Sequence, residues 1–598
     1  MKRIFFLAAF VAVAAASAPA LSQPLELKLA RVLSWQKKYD EALTRYRSYL
    51  ASHPGDSQAR LEMGDICLWT KRYDCAREQY GKAAANPKLA SALESRMASL
   101  AEAEGDLAAS EGHLRRAVEA NPEGVEQRLK LARVLSYEKD YAGAIAEYDR
   151  VIELDPTNFA ALSERADVLS WEGRYAEAVE GYDRALAARF DAEVARQKAR
   201  VLGWWKKYGR AIEAYDEAFE ESGKKAIELE RRGKQAFWNR WTLTAIERYR
   251  ELLAEEPGNA EGRFDLGQVE GYAGMWEESS SNFSSILTDQ PWHFRAKDSL
   301  EKVEMLWRKR SLSTSAGWLL ARSDDRATHI NRVTAGATIS QPAGEHAELV
   351  AGYSFDEFLF ASSPSISRHQ GRIGARARLA PRAWGEAYYL PTGYPFMNRL
   401  SQLFEGSLGA RPFDPVVVTA FARRDDLTNQ RVVFDKKLFE TQAGGSVRAD
   451  LHRRVALTFD GRYSWISDSN RRCGFGAEEL VFLSYEPHRL TLSARFDFFS
   501  FRFSTPDYWS PHNYWSTEAA LHWRHYMNPA GMYFGALERY YGVKYRFQID
   551  RGIYPYNGGA LEAHYDFTRR LGLHFEARGG ASSVYYDAGA VLSLIARF

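Results

Sequence analysis

The chain has 598 residues, 45% of them hydrophobic and 26% charged, with a formal net charge of +2. That length exceeds one ordinary domain, and the composition excludes both a disordered chain and a helical membrane protein. Near-neutral overall charge gives no reason to expect a nucleic-acid partner.

The opening residues carry Lys2 and Arg3, an apolar run from Ile4 to Ala16, and Ala18-Pro19-Ala20 at a plausible cleavage site. This is the pattern of a secretory signal peptide, assigned to residues 1–22. The apolar run is shorter than the roughly 20 residues that a spanning helix needs. No later apolar run reaches that length, so export would lead to the periplasm, the medium or an outer-membrane barrel.

From about residue 24 to 309 the sequence repeats. Aromatic residues recur at Trp35, Trp69, Tyr137, Trp171, Trp204, Trp238 and Tyr272, spaced by 34, 68, 34, 33, 34 and 34 residues, with Ala103 in the skipped slot. Prolines follow the same beat at 54, 87, 122, 156, 257 and 291, each ending a helix that proline cannot continue. Within one unit, Leu29, Ala30, Leu33, Tyr39, Ala42, Tyr46 and Leu50 mark two amphipathic helices. About eight such hairpins are expected, closed by a capping helix over 294–309.

These positions resemble the tetratricopeptide repeat, whose large, small, aromatic, small and proline slots are filled by Leu29, Ala30, Leu33, Ala42, Tyr46 and Pro54. The resemblance implies a solenoid with a partner-binding groove. It also places Trp35, two residues past Leu33, on the groove side of the first helix. The seven aromatics then have two readings. They pack between hairpins and stiffen the stack, or they form a ladder on which the apolar faces of sugar rings lie.

Three cysteines provide no disulfide framework. Cys67 and Cys75 are read as two buried, unpaired thiols, with a bond across one hairpin as the alternative; Cys473 has no obvious partner.

Past Arg310 the period changes to two, which marks strands. Ile373, Ala375, Ala377 and Leu379 share one face against Arg372, Arg376 and Arg378. Val455, Leu457, Phe459, Tyr463 and Trp465 oppose Asp460 and Arg462, and Val543, Tyr545, Phe547 and Ile549 oppose Lys544 and Arg546. Glu562, His564 and Asp566 share a polar face in one later segment, and His574, Glu576 and Arg578 in the next. Segments of about ten residues with aromatic ends predict an antiparallel transmembrane β-barrel of about 16 strands over 310–598. A soluble sandwich is the alternative. The last strand, ending Leu592, Leu594, Ala596 and Phe598, resembles the terminal strand recognised by the outer-membrane assembly machinery.

A barrel of that size encloses a lumen. Its expected lining is Arg372, Arg376, Arg378, Glu405, Arg411, Asp460, Arg462, Arg495, Asp497, Lys544, Arg546, Glu562, Asp566, Glu576 and Arg578. Residues 310–598 carry 34 basic and 28 acidic residues, too small an imbalance to name a substrate. The lumen arginines would attract an anionic chain, or pair with neighbouring acids and shape the wall.

There is no Gly-rich phosphate loop, His-Glu-x-x-His, Cys-x-x-Cys or Gly-x-Ser-x-Gly, so no catalytic site, metal or cofactor is expected. Signal peptide, repeat solenoid and barrel in this order resemble the outer-membrane exporters of biofilm exopolysaccharides, the poly-N-acetylglucosamine, cellulose and Pel secretion proteins. The resemblance implies a secretin-like porin, a monomeric barrel in outer-membrane lipid with a periplasmic repeat domain. That domain would bind the polymer, or periplasmic polysaccharide-modifying or synthase-complex proteins. A general diffusion porin and a non-transporting scaffold for periplasmic partners are the competing functions.

Overall fold

The computed structural model describes residues 25–598, except 292, 324–328, 361, 362, 429, 486, 528–532 and 553. The expected signal peptide lies outside the described residues. Contacts divide the chain into two compact units, one ending at Glu221 and one running from Ser222 to Phe598.

The first unit is a succession of helical hairpins: α1 (Leu25–Trp35) with α2 (Tyr39–Ser52), α3 (Ser57–Trp69) with α4 (Tyr73–Ala83), and α5 (Ala90–Glu104) with α6 (Leu107–Ala120). Then follow α7 (Val125–Tyr137) with α8 (Tyr141–Leu154), α9 (Phe159–Trp171) with α10 (Tyr175–Ala188), and α11 (Ala192–Trp204) with α12 (Tyr208–Ser222). Asp56, Asp106, Asp140 and Asn158 cap α3, α6, α8 and α9 by accepting a backbone N–H from three residues on. Small residues let the helices approach: a Cβ on Gly64 would stand 2.4 Å from the Tyr80 ring. The buried tyrosine of the second helix is anchored by an acid of the next hairpin, Tyr46 donating to Glu62 (3.0 Å) and Tyr148 to Glu164 (3.0 Å). Arg31 and Arg133 hold those same carboxylates at 2.8 Å and 2.7 Å.

The reading of two free thiols is corrected. Cys67 and Cys75 are joined in a disulfide, with Cα atoms 5.8 Å apart. One lies near the end of α3 and the other near the start of α4, and closure of the tight turn between them brings the two thiols together. Cys473 is free and exposed.

The second unit begins with α13 (Lys225–Trp238), α14 (Thr242–Glu255), α15 (Ala260–Tyr272), α16 (Trp276–Asp289) and α17 (Phe294–Arg308). Sixteen strands follow: β1 (Ser311–Ser323), β2 (His329–Ala343), β3 (Ala347–Phe360), β4 (Ser363–Ala380), β5 (Ala383–Tyr394), β6 (Arg399–Phe413), β7 (Val416–Asp426) and β8 (Phe439–His452). The remainder are β9 (Val455–Ile466), β10 (Arg471–Ser484), β11 (His488–Phe501), β12 (Tyr514–Tyr526), β13 (Arg539–Asp550), β14 (Tyr556–Thr568), β15 (Leu571–Ala581) and β16 (Tyr585–Arg597). A short helix, α18 (Arg431–Asp435), lies between β7 and β8.

Every strand pairs antiparallel with its sequence neighbours, and β1 pairs with β16, so the sheet closes on itself and leaves no edge. Ile373 pairs with Tyr389, Phe459 with Ala477, and Leu592 with Phe575, all on the outward face. These and other exposed large apolar side chains form the outer surface. A strand of about 13 residues at ~3.3 Å per residue, tilted by about 40°, rises ~33 Å, enough for the apolar band of a membrane barrel.

The helices of the second unit hold the barrel by the turns at one of its ends. Arg240 reaches Asp450 (3.0 Å), Trp241 Nε1 donates to the Asp450 carbonyl (2.8 Å), and Asn239 accepts from the Arg453 backbone (2.9 Å). Phe534, between β12 and β13, is buried in a cluster with Phe264, Phe283, Ile286, Ala296 and Val303. Tyr533 donates to Asp298, and Arg569 pairs with Asp298 and with Glu301 (3.0 Å).

Candidate functional site: the lumen and its two mouths

Each ladder aromatic ends the first helix of its hairpin, two residues before a backbone position of positive φ: Lys37, Lys71, Lys139, Gly173, Lys206, Arg240 and Gly274. The left-handed residue turns the chain sharply. The ring before it therefore stands at the rim of the hairpin instead of within its core. In the first unit Trp35 is 81% exposed, and Trp69, Tyr137 and Trp171 are also exposed, while Trp204 is partly buried. Trp69 leans on Tyr39 (6.3 Å between centroids) and Trp171 on Tyr141 (6.1 Å). Trp69 and Trp171 thus contact the preceding hairpin and leave much of the ring in water. In the second unit Trp238 is partly buried and Tyr272 is 60% exposed.

Tyr272 belongs to a cavity of about 1590 Å³ at the barrel mouth held by the helices. Its floor comes from α14, the turn joining α15 to α16, and the end of α17; its walls are the near ends of β1 to β6 and β16. The rings lining this vestibule include Tyr272, Trp276, Trp307 and Trp384, together with Phe413 and the His346 imidazole. Trp384 lies across the lumen face of Gly409, where a Cβ would stand 2.3 Å from the indole. Trp276, Trp307 and Trp384 escaped sequence reasoning. The first two fall outside the 34-residue beat, and Trp384 sits on the inward face of a strand, where polar residues are expected.

Strand register puts the expected lumen residues opposite the outward apolar face. Most of them are paired. Arg372 meets Glu405 (2.5 Å), Arg376 meets Glu348 (3.4 Å), and Arg495 meets both Asp460 (3.0 Å) and Asp497 (2.6 Å), with Arg462 at 3.7 Å from Asp497. Glu562 accepts from Arg524 (2.6 Å) and faces His522 (2.8 Å), while Arg546 lies 3.5 Å from Asp587 and Lys544 3.9 Å from Glu518. Asp566 faces His564 (3.2 Å) and accepts from the Glu538 backbone (2.8 Å). Two arginines hold the helices: Arg378 donates to the Gly274 carbonyl (3.2 Å), and Arg411 to the Arg240 carbonyl (2.9 Å) and Asp414 (3.0 Å). Glu576 and Arg578 are exposed and have no ion pair among the described residues.

At the opposite mouth the segment after β7 folds back into the barrel. Val433 and Phe434 of α18 are fully buried, and with Leu438 they join one cluster with Phe358, Ile366, Tyr394, Ile466, Phe501 and Tyr508. Those partners come from strands β3, β4, β5, β9 and β11 and from the segment before β12, so the cluster draws on opposite sides of the wall. Phe434 sits among the rings of Phe358 (4.9 Å), Tyr394 (5.9 Å) and Phe360 (6.2 Å). Lys436 pairs with Asp507 (2.6 Å), and Arg431 donates to the Pro364 carbonyl (2.7 Å). The apolar run Val432-Val433-Phe434 inside a loop was the available signal for this inward-folded segment; alternation finds strands and is blind to it.

The tetratricopeptide-repeat family profile matches residues 27–91, 95–159 and 137–201. No curated protein sequence matches the chain. Among solved structures the chain is similar to a bacterial polysaccharide outer membrane secretin, with 11% identity and a TM-score of 0.42 over 48% of this chain and 98% of that one. It is also similar to the C-terminal part of a TPR repeat-containing protein from Cytophaga hutchinsonii (16% identity, TM-score 0.34, 40% of this chain and 99% of that one). A tetratricopeptide repeat protein from Parabacteroides merdae is comparable (16% identity, TM-score 0.38, 41% and 97%). The helical half is an array of tetratricopeptide repeats, and it is followed by a closed sixteen-strand antiparallel β-barrel.

Proposed function

We propose that this protein is an outer-membrane porin that exports an exopolysaccharide, with its barrel in the outer membrane and its repeats in the periplasm. The observation that carries the reading is the vestibule: a ring-lined, water-accessible cavity at the mouth of a closed barrel, floored by repeat helices. Sugar rings stack on indole and phenol while their hydroxyls stay hydrated, which suits slow threading better than tight capture. The exposed rungs Trp35, Trp69, Tyr137 and Trp171 offer the same chemistry to polymer, or to a polysaccharide-modifying or synthase-complex protein, on the first unit. The conduit is passive, and the synthase that extends the chain supplies the force.

Deleting the gene tests this directly: surface polysaccharide is expected to disappear while polymer synthesis continues, and undiminished surface polymer would defeat the export reading. A diffusion porin is the second reading, favoured by the mixed charges of the wall. It requires steady ion conductance from the unmodified protein in planar bilayers, which the buried plug argues against.

A further inference from the structure

We infer that the polymer carried by this lumen is an uncharged, hydroxyl-rich polysaccharide; the inference rests on the export reading and narrows it. A polyanion needs a run of unpaired cations along its path, and a polycation a run of unpaired carboxylates. Among the described residues the wall offers no continuous run of either: Arg423 and Glu478 also face inward without an ion pair, but they are of opposite sign and on separate strands. Arg372 with Glu405, Arg495 with Asp460 and Asp497, and Arg524 with Glu562 cancel one another at distances of 2.5–3.0 Å. Glu576 and Arg578, which stand free, are of opposite sign and two residues apart on the same inward face of β15.

A charged chain sliding past would have to break these pairs or leave its own charges unmatched, and either raises the barrier to movement. A neutral chain meets a different surface. Paired guanidinium and carboxylate groups still have spare donors and acceptors for hydroxyls, spread on both sides of the path. At the entry, Tyr272, Trp276, Trp307 and Trp384 present ring faces and edges to a cavity wide enough for several sugars in succession. Stacking on these rings depends on the apolar face of the pyranose and is indifferent to register. The chain can therefore advance ring by ring without a deep binding minimum.

The test uses the full-length protein carrying a deletion of residues 431–437, reconstituted in planar bilayers. Neutral β-glucan oligosaccharides, oligogalacturonate and oligoglucosamine of equal length are added on the side of the helices. The neutral oligomer is expected to block current at a concentration at least tenfold below that of either charged one, and the open pore to discriminate weakly between potassium and chloride. Trp384→Ala is expected to weaken the block about tenfold and Trp384→Phe to preserve most of it, both with an unchanged β-sheet circular dichroism spectrum showing an intact barrel. Tighter block by a charged oligomer, strong ion selectivity, or block indifferent to Trp384→Ala would each overturn the inference. Loss of surface polymer on gene deletion, measured separately, stands or falls independently, so a failed charge assignment is not mistaken for a failed export function.

Discussion

Removing the Phe434 ring tests whether the plug governs passage. Burying a phenylalanine, a valine and a leucine stabilises the closed position by about 1.5–3 kcal/mol each, so Phe434, Val433 and Leu438 together contribute roughly 5–9 kcal/mol. The ion pair of Lys436 with Asp507 involves a half-exposed ammonium and adds under about 1 kcal/mol. At about 1.4 kcal/mol per factor of ten, the plug would be out of place in at most about one molecule in several thousand. Phe434→Ala removes about 3–5 kcal/mol. The open population is then expected to rise by between a hundredfold and a few thousandfold. Single-channel recording reads this as a change from rare brief openings to frequent ones, with deletion of 431–437 giving a continuously open pore. Lys436→Ala is expected to change opening less than fivefold. If Phe434→Ala and the deletion both leave conductance at the starting level, the cluster is not what closes the lumen and the reasoning fails.

Phe534→Ala empties a buried site among Phe264, Phe283 and Val303, and is expected to weaken docking of α15 to α17 on the barrel by about 3–5 kcal/mol; hydrogen exchange should quicken in those helices while the strands stay protected. Burial pushes the Asp167 carboxyl up to about 6, against the hydrogen bond from Tyr182 that acts to lower it. A raised acid binds more protons folded than unfolded. Its contribution is therefore complete below about pH 4 and is lost as pH rises to about 6, a change of about 2–3 kcal/mol. Asp167→Asn should flatten the thermal stability of the repeats across that window, and an unaltered pH profile would count against the assignment. The Cys67–Cys75 bond closes a short loop and should contribute ~2–3 kcal/mol. Alkylation of the unfolded, unreduced protein is expected to label Cys473 alone, and three labelled cysteines would contradict the bond.

The two halves were readable in the sequence because each buries one face at a regular period. The 34-residue beat, with small residues where Gly64 meets Tyr80, allows little except stacked hairpins. Strict alternation, as from Val455 to Trp465, fixes which side chains face outward once strands form. The turn disulfide was not legible, since a separation of eight positions is compatible with either thiol state until the hairpin angle is known. The plug and vestibule were hidden for a related reason. Phe434 becomes a closing element only because Phe358, Tyr394 and Phe501, distant in sequence, are brought around it by barrel closure.

The ion pairs show the division most plainly. Alternation placed Arg372, Arg495 and Arg546 on the lumen side, yet gave no information on whether their charges were free. Pairing depends on strand register across two or three neighbours, and a shift by one residue would turn each side chain to the opposite face. The sequence by itself determined the repeats, the strands and the sidedness of each residue, because those follow from local periodicity. Tertiary structure alone decided which charges cancel, which rings share a cavity and which mouth holds the buried helix, because those are contacts between residues the chain brings together from far apart.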